Sequence, residues 1–332
     1  MHEFQSLFVN SVNGEVQTKL RSIGVDDLPE GEVLIEVHYS CVNYKDALAS
    51  KTGTGVIRNY PMVLGIDLSG VVVSSDSEDF QVGDKVIVTS YKLGVGHYGG
   101  YSEYARVPSE WVVPLPEGLS LKEAMIIGTA GFTAAQSIYY LEESGAKPDK
   151  GDILVQGATG GVGSFAVSIL AKLNYTVATV SRKKEQAADY LTRLGAQQIL
   201  HPDEIRLEPA KPLAKQRWAG VVDPVGGEQL PHLFAQVKSF GAVALSGNAG
   251  GNHFESTVLP FILRGIRLIG VDSVNCPLPL RLKLWHLLAS EWKPTTLTDM
   301  VDQEIDLAGL PEAFEKILAG KMTGRTLVVI KK

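Results

Sequence analysis

The chain has 332 residues, 45% of them hydrophobic and 20% charged, the balance of an ordinary globular protein rather than a disordered or fibrous one. A net charge of −6 argues against a nucleic-acid or anionic-membrane partner, and two cysteines, Cys41 and Cys276, give no disulfide framework and point to a reducing compartment. The start, Met1-His-Glu-Phe-Gln, lacks the basic and apolar regions of a signal peptide. With no run of about 18 apolar residues to span a bilayer, a cytoplasmic location is expected.

At this length two domains are expected. The first 125 residues read as mainly β. Val33-Leu-Ile-Glu-Val37 alternates with Val33, Ile35 and Val37 on one side, and Gly70-Val-Val-Val73 and Lys85-Val-Ile-Val88 are short strands between Gly, Ser and Asp turns. The glycine-rich 94–100 reads as a surface loop, and the whole as a small barrel. From about Lys122 the pattern changes. A helix over 124–141 is interrupted by Gly128 and Gly131, and strands and helices then alternate. The expected strands are 153–156, 177–180, 220–223, 242–245 and 266–271. Helices cover 164–173 and 186–194, the second stopped by Gly195. This alternation predicts an α/β fold, a doubly wound parallel sheet. A Leu- and Trp-rich helix follows Pro277, with Trp285 and Trp292 read as packing on one face. After a polar stretch, Thr326-Leu-Val-Val-Ile330 closes the chain as a strand. The expected domains are 1–125 with 274–332, and 126–273.

Gly157-Ala-Thr-Gly160-Gly161-Val162-Gly163 lies between a predicted strand and a predicted helix. That is the context of a dinucleotide fingerprint, in which glycines bring backbone N–H groups against a pyrophosphate at a helix N-terminus. The first part of the fingerprint is altered, so a ligand-free structural turn is the alternative. About 20 residues further on, an NAD enzyme places a carboxylate on the ribose 2′-hydroxyl. Here Val180 is followed by Ser181-Arg182-Lys183-Lys184. A hydroxyl and three cations suit a 2′-phosphate, which selects NADPH over a merely solvated basic turn.

Gly65-Ile-Asp-Leu-Ser-Gly70, Val82-Gly-Asp-Lys-Val86, Gly128-Thr-Ala-Gly-Phe-Thr-Ala134, the glycine turn and Asp223-Pro-Val-Gly226 resemble, in order and over essentially the whole chain, the medium-chain dehydrogenase/reductase superfamily. Asn43-Tyr-Lys-Asp46, Pro260-Phe-Ile-Leu-Arg264 and Gly270-Val-Asp-Ser273 are similar to its YhdH/YhfP-type quinone-oxidoreductase-like group, which includes NADPH-dependent acrylyl-CoA reductases. The resemblance implies a GroES-like barrel joined to a Rossmann domain, and a homodimer formed through the last Rossmann strand. Zinc alcohol dehydrogenases carry Cys where this chain has Asn43, and Gly-His-Glu where it has Gly65-Ile66-Asp67. The seven histidines show no metal-ligand spacing, and no metal site is expected. Zinc stabilises the alkoxide of ketone reduction as a Lewis acid. A zinc-free site is better matched to conjugate addition, whose charge spreads into an enolate stabilised by donors at the carbonyl oxygen.

Tyr44, beside the former ligand position, is the first catalytic candidate, with cofactor contact or a structural role as alternatives. Asn43 either donates to a carbonyl or holds its loop. Asp67 is read as orienting Lys45 or Tyr44. Thr159, Gly160, Gly161, Val162 and Gly163 are expected at the pyrophosphate, and Ser181, Arg182 and Lys183 at the 2′-phosphate. Thr133 resembles a residue near the nicotinamide side, with helix packing as the alternative. Gly247, Asn248 and Ser273 follow strands of the predicted sheet, where ligands of open α/β folds collect. Arg325 is read as reaching a cofactor or CoA phosphate, or else as a surface salt bridge. The leading function is NADPH-dependent reduction of an activated C=C bond, with an acrylyl-CoA-like thioester as substrate. An NADPH:quinone oxidoreductase is the enzymatic rival, and a non-catalytic NADPH binder the other class; another enone fits the same chemistry.

Overall fold

The computed structural model describes residues 3–331. In chain order the strands are β1 (Phe4–Val12), β2 (Glu15–Ile23), β3 (Val33–Cys41), β4 (Met62–Val63), β5 (Asp67–Ser75), β6 (Lys85–Thr89), β7 (Tyr104–Val107), β8 (Val113–Pro114), β9 (Ile153–Val155), β10 (Val177–Val180), β11 (Gln198–Leu200), β12 (Trp218–Asp223), β13 (Val237–Leu245), β14 (Arg267–Gly270), β15 (Val301–Ile305) and β16 (Arg325–Val329). The α-helices are α1 (Tyr44–Ala49), α2 (Leu121–Glu143), α3 (Gly161–Lys172), α4 (Ala188–Leu194), α5 (Leu230–Phe234), α6 (Leu259–Arg264), α7 (Leu278–Ala289) and α8 (Leu310–Leu318). The chain forms two compact units. One comprises the residues up to Thr129 with Pro277–Ala289 and Leu297 onward, and the other Ala130–Cys276 with Ser290–Thr296. The expected boundaries at 125 and 273 therefore fall a few residues early, and 290–296 belong with the second unit.

In the first unit β1 and β2 form a hairpin across Asn13 (φ 53°) and Gly14 (φ 83°), the positive pair that a tight two-residue turn requires. Strands β15-β16-β3-β5-β6-β8 form the larger sheet, with β7 also pairing β3, and β2-β1-β4 form a smaller one. The alternation read in β3 buries Val33, Ile35 and Val37 completely, against Leu68, Val72, Val86 and Val88. The 94–100 stretch is more tightly packed than a surface loop. Gly94, Gly99 and Gly100 are buried, and a Cβ on Gly99 would lie 2.4 Å from the Gly65 carbonyl oxygen.

The second unit is a six-stranded parallel sheet in the order β11-β10-β9-β12-β13-β14. Its strands are short and almost wholly buried, as a sheet covered on both faces demands; Ile153, Leu154 and Val155 are each 0% exposed. The order reverses between β9 and β12, and ligands of such folds bind beyond the carboxyl ends of the strands there. Gly195 stops α4 at φ 107°, as expected. Trp285 and Trp292 are both buried, yet α7 ends at Ala289, so they do not share a helical face. Among the described residues no helix is long and apolar enough to cross a membrane.

Candidate active site

In the first unit, β3 ends at Cys41 and the chain turns through Asn43 into α1. The third helical residue, Asp46, reaches back to accept the Asn43 N–H at 3.0 Å, which closes the first turn as a capping carboxylate does. The same oxygen accepts the Tyr101 hydroxyl at 3.0 Å, and the other accepts the Ile66 N–H at 3.0 Å. Asp67, at the start of β5, accepts from the Asn43 amide at 2.9 Å, the Cys41 thiol at 3.1 Å and the Thr129 N–H at 2.8 Å. The Thr129 hydroxyl donates to it as well. Strand β16 runs antiparallel to β3, with Leu327 opposite Cys41, so continuing that register brings Arg325 to Asn43. The Arg325 guanidinium donates to the carbonyls of Ile126 (3.0 Å) and Val42 (3.3 Å), the Asn43 side-chain oxygen (3.3 Å) and the Cys41 sulfur (2.8 Å).

Two observations set the electrostatics. Arg325 is 1% exposed and Asp46 and Asp67 are 1% and 0% exposed, so a cation and two carboxyl groups share one dry site. A buried charge persists only where partners compensate its desolvation. Burial first, and the Asp67 charge second, push the Asp46 carboxyl up to about 7, so it takes up a proton as pH falls below neutrality. Burial likewise raises the Cys41 thiol and the Tyr101 phenol well above their ordinary values. Gly128 makes the close assembly possible. It breaks α2 at φ 50°, ψ −161°, and a Cβ there would lie 2.6 Å from the Cys41 sulfur and 2.8 Å from an Asp67 oxygen. Ser90, at φ 67°, hydrogen-bonds the Thr129 hydroxyl at 3.0 Å and extends the network.

Of the candidates from sequence, Asn43 and Arg325 thus meet, and Tyr44 does not join them: its side chain is exposed on the first turn of α1, as is that of Lys45. Two readings are corrected. Arg325 is neither a phosphate ligand nor a surface salt bridge, because its donors are spent on interior acceptors. Asp67 orients Asn43, Cys41 and Thr129 rather than Lys45 or Tyr44. Asp46, Tyr101, Cys41 and Thr129 escaped the sequence reading, although Asn43-x-x-Asp46 has the spacing of a capping pair and hinted at the first. At the position of the zinc ligands an amide stands in a hydrogen-bonded carboxylate–guanidinium network. Among the described residues no three His, Cys, Asp or Glu side chains converge as metal ligands; His2 lies outside the described residues.

In the second unit the other candidates follow the carboxyl ends of parallel strands. Thr159 and Gly160 lie in the turn after β9, Ser181, Arg182 and Lys183 after β10, Gly247 and Asn248 after β13, and Ser273 after β14. Thr133 is buried in α2, and its carbonyl accepts the Ser137 hydroxyl at 2.8 Å. Gly160 precedes the first residue of α3, and Gly161, Val162 and Gly163 form the first turn. Gly157 has φ +55°, and a Cβ on Gly163 would lie 2.4 Å from its carbonyl oxygen; at Gly160 the nearest atom would be 3.4 Å away. Two glycines therefore shape the turn and a third leaves its outer side open. The first-turn N–H groups of a helix lack intrahelical acceptors and attract anions, so the turn fits a pyrophosphate. Below it, buried polar atoms of Gln156, Asp223 and Ser246 lack hydrogen-bond partners at the ends of the neighbouring strands β9, β12 and β13.

Residues 29–117 match the alcohol dehydrogenase GroES-like domain, and 161–290 match the zinc-binding dehydrogenase family. The chain is 46% identical over 316 residues, 95% of each chain, to the acrylyl-CoA reductase AcuI of Ruegeria pomeroyi. The crystal structure of Bacillus subtilis YhfP with NAD bound is similar at TM-score 0.97 and 48% identity, covering 99% of this chain and 100% of that one. YhdH oxidoreductase from Salmonella enterica in complex with NADP is similar at TM-score 0.94 and 44% identity, covering 98% and 100%. The chain therefore belongs to the medium-chain dehydrogenase/reductase superfamily and, within it, to the quinone-oxidoreductase-like group of oxidoreductases that includes YhfP and AcuI.

Proposed function

We propose that the chain is an NADPH-dependent reductase of an activated C=C bond, with acrylyl-CoA or a similar short enoyl thioester as substrate. The observation that carries the reading is the replacement of a metal-ligand set by the Asn43–Asp67–Arg325 network. Such a network holds the turn into α1 rigid and so fixes where Tyr44 begins that helix, and an enolate oxygen needs a donor placed in advance. When bound, the cofactor supplies a hydride for the β-carbon. Tyr44 would donate its hydroxyl to the carbonyl oxygen of the thioester, and the α-carbon would then take a proton from solvent. Asn43 is a positioning residue, since Asp67 and Arg325 hold both ends of its amide.

The glycine turn of α3 and Ser181, Arg182 and Lys183 support NADPH as cofactor, in keeping with the NADP-bound YhdH neighbour. The acrylyl-CoA reductase name of a relative at 46% identity supports the substrate class. An exposed apolar surface on α6 and the unpaired edge of β14 support a homodimer. NADPH oxidation measured side by side with acrylyl-CoA and a benzoquinone, with NADH as control, tests the function. Fast thioester turnover with NADPH and slow turnover with NADH is expected. Quinone turnover alone would overturn the substrate, and silence with both would leave a dinucleotide binder.

A further inference from the structure

Beside the expected 2′-phosphate position the second unit has a cavity of about 400 Å³, lined by Arg182, Lys184, His201, Asp203 and Glu204 among others. It forms because β10 and β11 are parallel neighbours with Val180 opposite Leu200, and the Ser181 N–H continues the pairing to the Leu200 carbonyl at 3.0 Å. The basic run after β10 thus meets the acidic turn after β11. The two are joined. Lys184 Nζ lies 2.8 Å from a Glu204 carboxylate oxygen, and that same oxygen accepts the His201 N–H at 2.6 Å. These two donors, the backbone one first, hold the Glu204 carboxyl below the ordinary carboxylate range, so it is charged when the pocket is at work. Ser181 is turned inward as well, its hydroxyl accepting the Lys183 N–H at 3.0 Å. Arg182 is exposed at the rim.

We propose that Glu204 is a specificity-determining residue for the dinucleotide: by tethering Lys184 it keeps one of three consecutive cations from the 2′-phosphate, and so narrows the preference for the phosphorylated over the unphosphorylated cofactor. The inference rests on the NADPH reading above and deepens it. Only the phosphorylated dinucleotide carries charge at this position, so a cation released here strengthens its binding and leaves the other's unchanged. For a pair this exposed the effect is modest, about two- to fivefold in affinity, and it falls as salt screens it.

The test is titration calorimetry of NADP⁺ and NAD⁺ on the full-length wild type, Glu204→Gln, Lys184→Ala and the double variant. Glutamine keeps an oxygen for the His201 N–H, so the turn survives, and NAD⁺ affinity reports on its integrity. Glu204→Gln is expected to tighten NADP⁺ about two- to fivefold with NAD⁺ unchanged, and adding Lys184→Ala is expected to erase the gain. No gain, or an equal weakening of both dinucleotides, would overturn the proposal. If wild type binds NAD⁺ as tightly as NADP⁺ while Glu204→Gln still gains NADP⁺ affinity, the NADPH reading falls and the role of Glu204 stands.

Discussion

Asp46 is a carboxyl whose ordinary behaviour its surroundings reverse. In an unfolded chain it titrates at about 3.9; in the folded protein burial and the neighbouring Asp67 move it to about 7. Between those values the native state binds the extra proton, so stability falls as pH rises. The contribution is complete below the unfolded value and lost as pH passes through the folded one. The thermal midpoint is therefore expected to fall from about pH 4 to about pH 7 in excess of any global trend. Asp46→Asn, which cannot titrate, should flatten that slope. It should also cost about 1–3 kcal/mol, because in either orientation the amide NH₂ would face a backbone N–H donor, that of Ile66 or that of Asn43. Melting curves of both proteins across this range decide the matter, and an unchanged slope in Asp46→Asn would sink the assignment. Arg325 bears on the same site from the opposite sign. Its donation to Cys41 and Asn43 places a positive charge against the network.

Helix α2 shows how much of an element a sequence reveals. Two glycines, Gly128 and Gly131, interrupt its apolar pattern, and only Gly128 breaks it. What distinguishes them is tertiary: Gly128 faces Cys41, Asp67 and Arg325, residues up to about 200 positions away. Gly128→Ala places a methyl group into that contact and also forces a backbone conformation that alanine avoids. A loss of about 2–4 kcal/mol is expected, together with at least a tenfold fall in turnover with the thioester. Chemical denaturation and kcat check it, and near-wild-type values of both would show that the network yields without consequence. The same division runs through the molecule. The strands β9, β10, β12 and β13 and the turn into α3 were legible because apolar runs, glycines and spacing are local signals. So was the β1–β2 hairpin, whose Asn13-Gly14 turn between alternating residues is a hairpin signature that went unread. Strand β11, of three residues, falls below any periodic signal. The pairing of Arg325 with Cys41 joins positions 284 apart, and it was legible only from the β3–β16 register.

At the scale of the whole molecule, the second unit has an unfinished side. Strand β14 ends the sheet, and an open edge exposes N–H and C=O groups that invite another strand. Near it in sequence, α6 turns Ile262 (68% exposed) and Leu263 (62%) outward, after Val258 (66%). Phe240 is 76% exposed in β13, two residues before the stretch that pairs with β14. Isolated exposed apolar side chains are common, but several large ones beside a bare edge mark an interaction surface. Glycine 270 on β14 has no atom within 4 Å of where a Cβ would stand, which leaves room for a close strand. A second copy is the occupant we propose: two edges related by a two-fold axis would present identical patches to each other, extend one sheet through both subunits and leave neither edge bare. A stable interface of this kind buries about 1,200–2,000 Å² of surface. The wild-type chain is expected to sediment at twice its chain mass at micromolar concentration. Ile262→Asp with Leu263→Asp should shift it to the chain mass, since each carboxylate would have to be buried without a partner. Circular dichroism of the variant separates dissociation from unfolding. A wild type that sediments as a single chain would show that this edge is capped by something other than its own copy.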